Sequence, residues 1–376
     1  MNHATDVLII GGGVVGTSIA YHLRKLGVDV SVLEREEIGS QASSAAAGLL
    51  APLGPLPGPG PLADLLLSSF AMFPSLVPEL EEASGIHLEY ERPGALRTVR
   101  NPKRIANLKK RMKAWEPLGL QMYWLTGEEA RQHEPLLGPD VCAAIYAPEE
   151  SQIRAPQVVK AFAKAASNLG ARIYSHSEAI NLHREGNKIT SVCTIQGETI
   201  ACNHLILAPG TWAAQYEKWL NISIPVSPLK GQILLLQGPA QPLKHIIFGD
   251  ATYIAPKGNG ILVGATKEEA GFDTQVTEKE TSLLYETAIK FVPALRESRR
   301  ETAWAGLRPR TPDKGPLLGA APNWKNVTLA TGHNSVGIML SPLTGKTIAE
   351  LIATGHTPEI IRPFSPERFQ VQAMAS

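Results

Sequence analysis

Cysteine is scarce in this chain: Cys142, Cys193 and Cys202 are the only three in 376 residues. An odd count with no C-x-x-C pair excludes a disulfide framework and offers no zinc-ligand spacing, so no metal site is expected and a reducing cytoplasm is the expected compartment. Long apolar runs are also missing, and none reaches the roughly 18 residues that a membrane span requires. The start, Met1 to Asp6, lacks the basic and apolar parts of a signal peptide and leads straight into an apolar run. Neither sign of charge dominates: 36 Lys and Arg against 35 Asp and Glu leave a formal net charge of +1. Nucleic acid is therefore not expected as a partner, because proteins that bind it carry basic patches. What remains is an ordinary globular composition, 44% hydrophobic and 19% charged, long enough for about two domains.

What is present is concentrated at the beginning. Val7 to Ile10 reads as a buried parallel strand, Gly11, Gly13 and Gly16 follow in G-x-G-x-x-G spacing, and Val14 to Leu26 has helical periodicity. A second apolar run, Asp29 to Leu33, delivers Glu34 at its end. Gly11 permits the tight turn, Gly13 lets backbone approach a pyrophosphate, and Gly16 lets helix pack on strand. The helix N-terminus offers free N–H groups to phosphates, and Glu34 accepts from a ribose. An ordinary βαβ turn leaves the third glycine and the placed acid unexplained, so this unit of roughly 30 residues reads as a dinucleotide site.

Further on, the small residues from Ser40 to Leu50 read in two ways. Either they form an alanine-rich helix capped by Ser43 or Ser44, or a helix whose N-terminus faces the dinucleotide. Ala51 to Pro61 is too rich in Pro and Gly for regular structure and is either a connector or a lid. Leu62 to Glu82 reads as a helix interrupted near Pro74 and Pro78, Ala95 to Val99 as a strand, and Pro102 to Glu116 as a basic amphipathic helix. A helix from Val158 to Leu169 precedes strand-rich sequence that ends in Asn203 to Trp212. That last piece resembles the strand and glycine turn by which many flavoproteins complete their cofactor sheet, a resemblance that implies Gly210 lies close to the dinucleotide. Ile222 to Val263 gives long strands joined by turns, which indicates an antiparallel sheet. Thr277 to Phe291 reads as a helix with a Thr277/Glu280 capping box. A last strand, Val327 to Ala330, runs through the turn Thr331 to Gly337 into a helix from about Leu343 to Ala353. The cofactor domain is thus expected to be discontinuous, 1–85, 150–215 and 300–376, with a substrate domain of 86–149 and 216–299 inserted twice.

The fingerprint, Ser43-Ser-Ala-Ala-Ala-Gly48, Trp304-Ala-Gly-Leu-Arg-Pro309 with Thr311-Pro-Asp313, and Thr331-Gly-His333 before Gly337-Ile338 together resemble the D-amino-acid-oxidase superfamily of FAD enzymes. Tyr253-Ile-Ala-Pro256 followed by Gly264-Ala-Thr266 resembles its glycine oxidase branch, which serves thiamine biosynthesis. The resemblance implies an α/β fold with a Rossmann-like FAD-binding domain and an interleaved antiparallel-sheet substrate domain. It implies FAD contacts at Val14, Val15, Glu34, Arg35, Ala42, Ser43, Ala47, Gly48, Leu49 and Ala179, with the loop His333, Asn334, Ser335, Val336, Gly337, Ile338 and Met339 at the flavin ring. It further implies that Arg308 binds a substrate carboxylate and that Tyr253 lines the pocket. From the residues alone, an Arg before Pro is either a surface residue or a bidentate carboxylate ligand.

The implied reaction is oxidative deamination of glycine, sarcosine and small D-amino acids, with hydride passing to flavin and electrons to oxygen to give hydrogen peroxide. No side-chain acid or base is required, and His333 reads as a structural loop residue. Three departures from the branch bear on the substrate. Asn334-Ser335-Val336 replaces an aromatic-Arg-Asn triplet, Lys267 stands where Met is usual, and Ala251 where one relative has His. Lys267 and Ser335 are thus candidate substrate-facing residues; Lys267 is a second carboxylate ligand, an oxygen-activating group, or a solvated turn lysine. No cysteine follows Cys202, so the flavin attachment of monomeric sarcosine oxidase is excluded and FAD is expected to be non-covalent. The expected assembly is a homo-oligomer, up to a tetramer. Two rivals stay open: a dehydrogenase passing electrons to a quinone or partner protein, and a flavin-binding subunit with no amine oxidation of its own.

Overall fold

The apolar run Val7–Ile10 is the end of a strand, His3–Ile10, in which those four residues are buried, as a strand inside a parallel sheet must be. It pairs in parallel with Val30–Leu33 on one side and Thr199–Leu207 on the other. Val327–Thr331 lies parallel beyond Thr199–Leu207, Leu317–Ala320 closes that edge, and Arg172–Tyr174 closes the other. A hairpin of Ala179–Glu185 and Lys188–Thr194 extends the same sheet. A computed structural model describes residues 3–370; positions 1–2 and 371–376, which end two of the expected cofactor-domain segments, lie outside the described residues.

Helix Val14–Lys25 covers this sheet between helices Ala155–Asn168 and Gly337–Thr354. The last of these begins six residues earlier than its proline suggests. Pro342 has no N–H for the carbonyl of Ile338, four residues back. The Ser341 hydroxyl donates to that carbonyl instead, at 2.9 Å, and the helix runs on. The interrupted helix expected over 62–82 is two helices, Pro61–Phe70 and Phe73–Ser84: the break falls before Pro74, which opens the second, while Pro78 lies inside it without ending it. Among the described residues no single helix is long and apolar enough to cross a membrane. This pair passes only when joined across a 49° bend, and its apolar residues Leu65, Leu66, Leu76 and Leu80 are buried.

The second sheet has the order Arg300–Arg310, Ser227–Gln237, Gly260–Gly264, Thr252–Lys257, Ile246–Gly249, Ala95–Val99, Ala143–Ala147, Tyr123–Thr126. Every neighbouring pair is antiparallel except one. Ile246–Gly249 runs parallel to Ala95–Val99, so the sheet is mixed, and this is the seam where the two insertions meet. Residues 300–310, grouped from sequence with the cofactor segment, hydrogen-bond along Ser227–Gln237 in this second sheet.

Two caps differ from expectation. Helix Glu278–Phe291 has no capping box, because the Thr277 hydroxyl accepts from Gln232 rather than from its own helix. The capping box lies instead at Thr126 and Glu129.

Candidate active site

Between the two sheets lies a cleft of about 1410 Å³. The N-terminal turns of two helices open onto it, Gly13 to Val15 and Gly337 to Met339, as do Gly210 and the small-residue run Ala42 to Leu49. Aligned N–H groups at two helix starts make this floor suited to anionic groups. The tightness of the floor depends on glycine. Gly11 has φ 111°, and a Cβ there would collide with the carbonyl of Ala208; a Cβ on Gly16 would collide with the carbonyl of Gly11. Gly48, φ 75°, similarly abuts the carbonyl of Ile153. The residues therefore fit a dinucleotide such as FAD, and Gly13–Val15 and Gly337–Met339 are the residues that would hold it.

The small-residue run is a helix only over Ala42–Ala45, and neither serine caps it. Ser43 Oγ accepts instead from the Val14 N–H at 3.0 Å, capping the fingerprint helix from outside. Glu34 accepts from the N–H groups of Gly12 (2.7 Å) and Glu36 (3.0 Å), which orients its carboxylate beside the glycine turn. The Arg35 guanidinium stacks 3.8 Å over the Trp212 ring. Gly11, Gly16, Glu34, Arg35 and Ala179 stand outside the cleft wall itself. Ala179 is two residues from Ser177, whose N–H donates to the Glu34 carbonyl at 2.7 Å.

Ala51 to Pro61 forms part of the wall. The Leu53 N–H donates to Glu150, and Trp115 Nε1 donates to the Leu56 carbonyl at 2.8 Å. Glu150 is fully buried in an ion pair with Arg97, so the segment is fastened to the second sheet.

The opposite wall carries Tyr253, Lys267 and Arg308. Arg308 stands in strand Arg300–Arg310, and its guanidinium fills the space a side chain at Gly231 would take. Its Nη1 donates to the carbonyls of Thr266 (3.0 Å) and Lys230 (3.3 Å). Arg310 nearby pairs with Glu269, but no carboxylate lies within ion-pair distance of Arg308 among the described residues. Burial pulls the Arg308 pKa below the usual arginine value, opposed electrostatically by the neighbouring Tyr253 and Glu268. Burial likewise pushes the Tyr253 phenol above its ordinary range. Gly264 leaves room for that phenol, since a Cβ there would meet its ring carbon Cζ and oxygen.

His333, Asn334 and Ser335 line the cleft where the wall meets the closing helix. The Asn334 N–H donates to the Pro309 carbonyl at 2.9 Å, tying this loop to the residue after Arg308. His333 Nε2 lies 3.1 Å from the Thr344 hydroxyl, and burial lowers its pKa to about 3, so it is a neutral, fixed imidazole. Sequence reasoning did not find Gly231 or the buried Gln232 beside it. A glycine and an amide inside a strand are the signal for a close approach, though not for what approaches.

A parallel nucleotide sheet, two helix N-termini on one cleft, and a second sheet presenting an unpaired guanidinium define an α/β oxidoreductase of the flavin-dinucleotide class. The chain belongs to the family of FAD dependent oxidoreductases, DAO, whose profile matches residues 6–351. It is 34% identical over 371 residues to a glycine oxidase of Geobacillus kaustophilus, covering 98% of each chain. The crystal structure of glycine oxidase from that organism superimposes with a TM-score of 0.92 over 97% of this chain and 98% of that one. A bifunctional protein ThiO/ThiG of Synechocystis is 35% identical over 380 residues; the match covers 98% of this chain and 55% of that longer protein.

Proposed function

We propose that this protein oxidises glycine and other small amines that carry a carboxylate, sarcosine and small D-amino acids among them, with oxygen as electron acceptor. The observation that carries the reading is Arg308, a half-buried guanidinium whose partners among the described residues are carbonyls, facing a cleft floored by two helix N-termini. A guanidinium held this way grips a carboxylate in two parallel hydrogen bonds and sets the distance of the α-carbon from the wall. Tyr253 narrows the same wall. His333 stays neutral and moves no proton, its Nε2 being committed to Thr344. The substrate amine therefore enters the reaction as the free base. FAD, when bound, supplies the acceptor for the α-carbon hydride and the route of electrons to oxygen. FAD is held non-covalently, in a cytoplasmic homo-oligomer. The name of the Geobacillus relative, glycine oxidase, supports glycine as substrate, and the ThiO/ThiG name of the Synechocystis relative supports a role in thiamine synthesis.

The test is anaerobic addition of glycine to the yellow holoenzyme, which should bleach the flavin, with peroxide forming when air is admitted. Turnover that requires an added dye would make it a dehydrogenase, and amines that never bleach the flavin would end the reading. Arg308→Ala should raise KM for glycine by an amount worth about 2–3 kcal/mol; an unchanged KM removes Arg308 from the site.

A further inference from the structure

We propose that Gln232, Thr266 and Glu268 form a device that positions Arg308 for the substrate carboxylate. The proposal rests on the reading of Arg308 given above and adds residues that touch neither substrate nor cofactor.

The two carbonyls that receive Arg308 Nη1 come from different segments, Lys230 from the strand Ser227–Gln237 and Thr266 from the chain leaving Gly260–Gly264. Their spacing decides where the guanidinium points. A closed set of hydrogen bonds fixes that spacing. Lys230 and Glu268 exchange backbone bonds, N–H to O, at 3.1 and 3.0 Å, and the Thr266 N–H donates to the Gln232 carbonyl at 3.3 Å. The Gln232 N–H donates to Thr266 Oγ1 at 2.8 Å, and that hydroxyl donates in turn to Glu268.

The Gln232 side chain completes the set. It is fully buried, and its Nε2 donates to both Glu268 oxygens (3.1 Å each) and to Thr277 Oγ1 (3.2 Å), while its Oε1 accepts from the Thr277 N–H at 2.8 Å. A buried amide in a strand of Ile and Leu is costly unless every polar atom is satisfied, and an apolar residue would pack the position equally well. What the amide adds is a fixed geometry between strand, turn and helix start.

Glu268 has a second consequence. Its charge favours the charged form of Arg308 without contacting it. A carboxylate in direct contact would occupy the N–H groups that an incoming carboxylate needs. One placed behind a threonine stabilises the cation and leaves its outer face free. Lys267 sits between the two pinned residues, so the same set anchors the backbone from which it reaches the cleft.

The experiment uses the full-length holoenzyme and three variants, Glu268→Gln, Thr266→Val and Thr266→Ser. KM and kcat are measured for glycine, and a Kd for glycolate is taken from the perturbation of flavin absorbance. Glu268→Gln and Thr266→Val should each raise KM and the glycolate Kd by about tenfold with kcat within about twofold, because only ground-state carboxylate binding is lost. Thr266→Ser keeps the hydroxyl and should restore both values. A purely structural role would lower Tm and yield yet leave KM and Kd of the folded, flavin-loaded fraction unchanged. That result in Glu268→Gln, which preserves shape, overturns the proposal. Arg308→Ala run alongside separates the two readings. If it leaves the glycolate Kd unchanged, Arg308 is not the carboxylate ligand; if it weakens glycolate while Glu268→Gln does not, only the positioning role fails.

Discussion

Gly231 and Arg308 occupy one volume between them, and the glycine is what leaves it to the arginine. In Gly231→Ala the added methyl meets the far end of a flexible side chain rather than backbone. The fold should therefore tolerate it, with a stability change within about 0.5 kcal/mol, while the displaced guanidinium raises KM for glycine by about tenfold. Thermal melts and steady-state kinetics on one preparation check both halves; a large drop in Tm with unchanged KM would contradict the shared-volume account. The pair also marks how far residues can be read singly. Arg308 was legible because Ala-Gly-Leu-Arg-Pro resembles a family motif. Gly231 was not, because its reason lies in a strand almost eighty positions away. Thr277 misled for the same cause: Thr-x-x-Glu spells a capping box locally, but Gln232 is the partner its side chain finds.

Elements were legible where their reasons are local. The strand–glycine–helix–strand opening, Ala95–Val99 and the long strands of the second sheet follow from periodicity and turn residues alone. The start of the closing helix was not, because one serine hydroxyl substitutes for the N–H that Pro342 lacks. The Pro- and Gly-rich segment left connector and lid both open, and what fastens it is an acid almost a hundred residues on. Glu150 is buried against Arg97 and also holds the Leu53 N–H. Glu150→Gln should strand the Arg97 charge in the interior and cost about 3–5 kcal/mol, read as a fall in the urea midpoint. A change below about 1 kcal/mol, the range of an exposed pair, would mean the segment is not fastened there.

At the scale of the molecule, one buried and two partly buried imidazoles give the protein an acid-side weakness. Burial lowers the pKa of His22 and His204 to about 4 and of His333 to about 3, from an ordinary 6.5. Below pH 6.5 the unfolded chain takes up protons at these positions and the folded one does not. Their stabilising contribution is therefore complete above that pH and declines as pH falls toward 4, by up to about 1.4 kcal/mol per pH unit for each imidazole. Urea midpoints at about pH 7.5 and about pH 5 measure it, and equal midpoints would show the imidazoles titrate normally. The interleaving of the two sheets was visible from the second strand–glycine–helix unit near the end, whereas the parallel seam between Ala95–Val99 and Ile246–Gly249 was not, since it joins insertions that share no local sequence. That interleaving reaches into synthesis. A ribosome makes the fingerprint well before the strand and helix that complete its cleft, Val327–Thr331 and Gly337–Thr354. Until they emerge, Leu205 to Leu207 present an open strand edge, so a nascent or truncated chain is exposed to pairing with its own copies, and the cleft stays incomplete until both are made.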